Sequence, residues 1–306
     1  MSTMKLTKYM MLALLALTTS CYDDYVSDYE EPSMGFAIAK PVRTVIAERD
    51  MTIRLGVAIG GKREVDMSDW AKYTIDASLV EGTGKTLLPS SYYELSDAST
   101  MRVHKANLPV ADVELRLTSA FFADPLSMQN HYVLPLRMTD NSLGRIREGA
   151  ETTIAVVKYI STFAGTYYRM GQVQTLDGNG RPSGEFAKYG NDHDINKCST
   201  VTVQTLGPRQ IRISGLGKEG SNAGGLDLSI GSDLKVSAKG TEGSVVTVTS
   251  ATYREQGDHS FVANLDTRAP QIDLEYTYTT DNKSYQVKES LVLRQDPLDD
   301  LRVETW

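Results

Sequence analysis

The chain has 306 residues, of which 41% are hydrophobic, and 39 acidic against 32 basic side chains leave it a net charge of −7. An acidic surface argues against nucleic acid or anionic lipid as a partner. The apolar fraction is enough for one large or two ordinary packed cores.

Residues 1–20 have the three parts of a secretory signal. Lys5 and Lys8 make a positive start, Tyr9 to Leu17 form an unbroken apolar run, and Thr18, Thr19 and Ser20 lead to Cys21. The run is shorter than the roughly 20 residues of a membrane-spanning helix. Small residues ending on a cysteine resemble a bacterial lipoprotein signal, in which the cysteine becomes the first mature residue and carries lipid on its sulfur. Thr18 departs from that pattern, which has Leu three places before the cysteine. Removing residues 1–20 leaves 286 residues and takes the net charge from −7 to −9, since Lys5 and Lys8 go with them. Tyr22-Asp23-Asp24 resembles the acidic export signal of Bacteroidetes surface lipoproteins, which favours the outer face of the outer membrane. Residues 21–34 read as an acidic tether closed by Pro32. With Cys21 committed to lipid, Cys198 has no partner for a disulfide and reads as a small buried hydrophobe.

From residue 35 the apolar period is two. Phe36-Ala37-Ile38 starts a strand, and Met51 to Ile59 alternates apolar odd positions with Thr52 and Arg54. Further strands are predicted over 72–76, 87–95, 100–103, 112–117, 131–138 and 153–159, with Pro135 expected at an edge or bulge. A short helix is expected at Met67 to Lys72 or Phe121 to Met128. Short strands at these intervals predict an immunoglobulin-like β-sandwich over residues 35–160.

At Ser161 to Gly165 the pattern restarts, and residues 161–306 read as a second, antiparallel β domain, a barrel or a sandwich. Asp177-Gly178-Asn179-Gly180 is a hairpin turn signal. Strands at 200–203 and 210–213 are expected to pair, and alternation continues through 226–230, 234–236, 245–248, 272–278, 285–287 and 291–294.

Leu88-Pro89 with Tyr92-Tyr93, and Tyr132 to Met138, resemble the N-terminal domain of Bacteroidetes surface lipoproteins, a domain that also precedes the catalytic module of some endo-β-N-acetylglucosaminidases. Gly165-Thr166-Tyr167-Tyr168 and Leu291 to Pro297 resemble its companion C-terminal domain. The resemblance implies a protein of a polysaccharide-utilisation locus, encoded beside a SusC/SusD-like transporter pair and binding glycan at the cell surface.

Sugar sites stack aromatic rings on the apolar faces of the sugar and surround them with polar groups. The chain has two Trp and sixteen Tyr. Candidate contacts at loops or strand ends are Trp70 beside Asp69, Tyr92, Tyr167, Tyr168, Tyr189 with Asn191 and Asp192, Tyr253, and Trp306. Against each stands the preference of Tyr and Trp for strands. Asn191 to Asp194 with Asp177 and Asn179 offers oxygen ligands for Ca2+, but without calcium-loop spacing, and a solvated loop is the better reading. His104, His131, His193 and His259 lack zinc spacing. No cofactor is expected and no nucleophile motif appears. The sequence therefore predicts a lipid-anchored outer-membrane protein that binds glycan without catalysis. The alternatives are an accessory subunit of a SusC/SusD-like transporter that touches no sugar, and a glycoside hydrolase built on paired carboxylates.

Overall fold

The computed structural model describes residues 31–49, 51–62, 64–191, 193–259, 268–297 and 306. The signal segment, Cys21 and the acidic motif behind it lie outside the described residues. The described residues are almost wholly β and form two sheets, each with its own core.

The first sheet contains β1 (Ser33–Gly35), β2 (Val42–Ile46), β3 (Thr52–Gly60), β4 (Trp70–Ile75), β5 (Thr86–Leu87), β6 (Tyr93–Leu95), β7 (Thr100–Val103), β8 (Val110–Leu117), β9 (Tyr132–Asn141) and β10 (Thr152–Ile160). Their order is β1-β3-β8-β7-β4-β9-β10-β2, with β5 on β9 and β6 on β8. Alternation drives the packing. Ile53, Leu55, Val57 and Ile59 of β3 and Val113, Leu115 and Leu117 of β8 face Tyr73, Leu134, Leu136, Val157 and Tyr159 from the other half of the sheet, so one sheet folded at β7 makes a sandwich around one core.

Three expectations change here. Phe36 to Ile38 is not a strand, since the edge strand is Ser33–Gly35, and β2 pairs parallel with β10 where no strand was predicted. Met67 to Lys72 is not helical, because Asp66 accepts the Ser68 N–H at 2.8 Å in a local turn and the chain enters β4 at Trp70. The second expected place is the helical one, with α1 (Ser119–Ala123) followed by a 3-10 turn over Pro125–Met128. Pro135 lies in an inner strand, at the place where the neighbour of β9 changes from β5 to β4, and its carbonyl accepts from Asp76 N–H at 3.2 Å.

The second sheet contains β11 (Gly165–Leu176), β12 (Pro182–Tyr189), β13 (Ser199–Gly207), β14 (Gln210–Leu216), β15 (Gly220–Ile230), β16 (Val236–Gly240), β17 (Val245–Arg254), β18 (Gln271–Thr280) and β19 (Lys283–Leu293). Their order is β16-β15-β14-β13-β11-β19-β18-β17, all antiparallel, and β12 extends the far half of β11. The end strands β16 and β17 are consecutive and lie side by side, which nearly closes the sheet into an eight-stranded barrel. A barrel of that size is filled by side chains. Ile211, Ile213, Leu226, Leu228, Ile272, Leu274, Tyr276 and Leu291 fill this one. The turn at Asp177 forms as expected, with Asp177 Oδ1 accepting from the N–H of Asn179 and Arg181.

Ser161 joins the two sheets. It is buried, its N–H donates to Thr205 Oγ1 at 2.9 Å, and its hydroxyl donates to the Pro208 carbonyl at 2.8 Å. Arg49–Asp296 at 2.8 Å and the Arg209–Glu48 pair cross the same junction.

Candidate functional site

On each barrel strand, residues alternate between the core and the outer face. Register then sets the outer ones in rows across the strands. Lys188 of β12 stands beside Gln172 of β11, then Lys288 of β19, Glu275 of β18 and Ser250 of β17. The next row is Met170, Ser290, Asp273 and Thr252. Five strands span about 19 Å from first to last. Together these rows, with Tyr189 and Gly190 at one margin, line an open trough of about 540 Å³. That lies within the roughly 300–1,000 Å³ of ligand sites.

The trough floor is fixed by its own hydrogen bonds. Asp273 Oδ1 accepts from Ser290 at 2.6 Å and Gln271 at 2.7 Å, and Oδ2 accepts from Arg254 Nη2 at 2.9 Å. Arg254 also chelates Asp258, and those hydrogen bonds hold the Asp258 carboxyl below its usual range. Lys288 donates to Glu275 at 2.9 Å.

Beneath the floor, inside the barrel, Glu289 is buried with Arg169. Arg169 Nε lies 3.0 Å from Oε2, and Nη2 donates to the Gly215 carbonyl at 2.8 Å. Tyr276 and Tyr189 each donate to Glu289 at 2.8 Å. Burial first, then the charge of Glu289, pushes both phenols far above their ordinary pKa, so they remain donors. Gly171 makes this possible. A Cβ there would meet Tyr189 Oη at 2.7 Å and the Lys288 carbonyl at 2.5 Å, so only glycine lets Tyr189 cross β11 to reach Glu289.

The sequence-predicted contacts scatter. Trp70 is half-buried on the outer face of β4, with Lys72 Nζ 5.2 Å from its ring and Arg102 across on β7. Its neighbour Asp69 is a buried clamp that accepts from Lys62 at 2.7 Å and Ser142 at 2.8 Å. Burial opposes the Asp69 charge, but those bonds outweigh it and hold the carboxyl below its usual range. Tyr92 donates to Asp124 at 2.9 Å and packs edge-on to Phe121 and Tyr132. Tyr167 is 1% exposed and donates to the Phe163 carbonyl, so its ring belongs to the barrel core and offers solvent no face. Tyr168 donates to Asn196 on the outer surface at 3.2 Å, and Tyr253 packs edge-on to Phe163.

Tyr189 is not in a loop; it ends β12 and borders the trough. Asn191 closes the following loop, where its Oδ1 accepts from His193 and Asp194 N–H, and Asp192 lies outside the described residues. Asp177 and Asn179 precede β12 and Asn191 follows it, so a strand of about 25 Å separates these oxygen groups. Among the described residues no cluster suited to a metal ion occurs. Trp306 is half-buried, between Lys40 at 4.6 Å and Lys85 at 5.7 Å from its ring. The structure thus brings one predicted contact, Tyr189, to a trough whose other members sequence reasoning did not single out. Gln172, Lys188, Glu275 and Lys288 read as the solvated side of alternating strands, and only register unites them.

A family model described as an N-terminal domain matches residues 29–144. No curated protein matches the chain. A Bacteroides ovatus protein of unknown function shares 20% identity and a TM-score of 0.67, over 88% of this chain and 96% of its own. A multidomain B. ovatus protein including DUF1735 shares 15% identity and a TM-score of 0.44, over 86% and 94%. A third B. ovatus structure, described as a candidate carbohydrate-binding protein, shares 13% identity and a TM-score of 0.30, over 86% and 71%. Of these three, only the first superposes closely enough to show a shared fold, and that fold is the two-sheet, all-β arrangement described above. The family model lies on strands of the first sheet.

Proposed function

We propose that this chain is a lipid-anchored protein of the outer bacterial surface that binds glycan without transforming it. The observation that carries the reading is the barrel trough, where nine outward positions on five hydrogen-bonded strands place amide, hydroxyl, carboxylate and ammonium groups along about 19 Å. Side chains on paired strands are held at fixed spacing, so a polyhydroxyl ligand meets prearranged partners. The aromatic-lined cleft expected for sugar is replaced by a polar one with Tyr189 at its margin.

Asp273 and Glu275 lie two residues apart on one strand face, about 7 Å, which is within reach of the carboxylate separations of glycosidases. Each, however, is tied to a cation: Asp273 to Arg254 and Glu275 to Lys288. Both project side by side from one floor, whereas a glycosidase pair flanks the scissile bond from two sides. This supports binding over hydrolysis. Anchoring near enzymes and importers would raise the local glycan concentration for them.

The test is equilibrium binding of the purified full-length chain to a panel of plant and host oligosaccharides, beside Gln172→Ala, Glu275→Ala and Trp70→Ala variants, with reaction products checked by chromatography. Saturable binding lost in the trough variants, with unchanged circular dichroism and no cleavage, is the expected result. Loss only in Trp70→Ala would move the site to the first sheet. Binding to no member of the panel would defeat the reading in favour of a transporter accessory role. For the anchor, a clickable fatty acid should label the wild-type chain in cells but not Cys21→Ala, and external protease should digest the former on intact cells.

A further inference from the structure

The two halves of the trough differ in chemistry. On β18 and β17 the side chains are carboxylates and hydroxyls, and the carboxylates already accept: Asp273 from Arg254, Gln271 and Ser290, Glu275 from Lys288. On β12, β11 and β19 the first row holds Lys188, Gln172 and Lys288, three cross-strand neighbours, with Met170 and Ser290 in the row behind. Neither Lys188 nor Gln172 has a side-chain hydrogen bond or ion-pair partner among the described residues, and Lys288 spends a single donor on Glu275. An ammonium has three donors and no acceptor, and an amide adds two more donors. The unused capacity at this end is therefore donor-rich and cationic. The two lysine strands stand two spacings apart, about 10 Å, and both side chains have flexible four-carbon stems. Their ammoniums can close on one anionic group resting above Gln172. The acidic charge of the whole chain does not cancel this, because exposed charges beyond about 8 Å are screened at physiological salt.

We propose that the β12 end of the trough binds the anionic group of an acidic glycan, a uronate carboxylate or a sulfate ester, between Lys188 and Lys288, while neutral sugar units run on over β18 and β17. This rests on the glycan reading above and narrows it to acidic polysaccharides. Asp273 and Glu275 would accept sugar hydroxyls through their remaining lone pairs, and their own cations keep them from repelling the ligand.

Four probes test it on the full-length chain by calorimetry: a chondroitin sulfate tetrasaccharide, its desulfated form, its carboxyl-reduced form, and the form with both groups removed. The expected result is that removing both groups weakens binding about tenfold or more, as loss of a charge-assisted hydrogen bond does. Whichever single removal reproduces that loss identifies carboxylate or sulfate as the group read. Lys188→Ala should cost a similar factor with the acidic probe and clearly less with the neutral one; Lys188 is exposed, so the variant keeps the fold. Equal binding of acidic and neutral forms, unchanged by Lys188→Ala but weakened by Glu275→Ala, would overturn the proposal and leave glycan binding standing. No binding of any of the four probes, or of a neutral oligosaccharide panel, would overturn both.

Discussion

Glu289 gathers three side chains inside the barrel. Its two oxygens answer Arg169, Tyr189 and Tyr276, and it is 3% exposed. Removing it would strand a buried guanidinium and two phenols. Glu289→Ala is expected to cost about 3–5 kcal/mol in urea denaturation, whereas Tyr189→Phe, which deletes one donor, should cost about 1–2 kcal/mol. Equal effects would mean that the ion pair contributes nothing beyond its hydrogen bonds. Asp124 makes a pH-dependent counterpart in the first sheet. The hydrogen bond from Tyr132 is the first cause that holds its carboxyl low, with Tyr92 and the Leu126 N–H adding to it. Its folded pKa is thus below the unfolded value of about 3.9. The stability it contributes is present above that value and is lost as pH falls through the folded pKa. The melting-temperature gap between wild type and Asp124→Asn should be constant near neutrality and close below about pH 4; a gap that persists at low pH would show that the charge of Asp124 is not what stabilises.

At the scale of elements, the junction of β11, β12 and β19 decides the trough. β11 is long enough to pair with β13 along its first half and β12 along its second, so β12 extends the outer face by one strand. Gly171 sits where all three strands meet. Gly171→Ala would push a methyl to 2.5–2.8 Å of the Lys288 carbonyl, Tyr189 Oη and Glu289 Cα. The expected cost is about 1–3 kcal/mol from overpacking, with Lys188 displaced and acidic-glycan affinity reduced. Unaltered stability would show that β12 can move away freely. Alternation along these strands is legible from sequence, because apolar residues at every second place have no other way to bury. Which strand neighbours which is not, because β11 could have paired with several partners of the same pattern.

For the whole molecule, the two sheets meet through a short polar clamp and an apolar cleft of about 650 Å³, lined by Met51, Phe122 and Met128 on one side and Leu206 and Pro208 on the other. The ion pairs at the rim are exposed and worth little, about 0.2–1 kcal/mol each. Ser161 is buried and serves both sides. Ser161→Ala should therefore cost about 1–3 kcal/mol, since the Pro208 carbonyl loses its donor, and small-angle scattering should report a wider spread of inter-sheet orientations. An unchanged profile would assign the orientation to other contacts, such as those of the 3-10 turn over Pro125–Met128 with β13.

What the sequence determined by itself was the all-β class, the two successive cores and the hairpin at Asp177, while it left the helical turn open between Met67 to Lys72 and Phe121 to Met128. Each follows from local periodicity or turn chemistry within a few residues. It also marked Tyr189 through its polar neighbours, of which Asn191 lies in the adjoining loop. Tertiary structure alone decided the rest. Pro135 is tolerated inside a sheet because two neighbouring strands end beside it. Tyr167 turns inward while Tyr168 turns out, a choice of phase that a Tyr-Tyr pair does not reveal. Lys188, Gln172, Lys288 and Glu275 are separated by as many as 116 residues between Gln172 and Lys288, and strand register brings them into a single row. That long-range pairing depends on how whole strands share backbone hydrogen bonds and a core, which no short window of residues encodes.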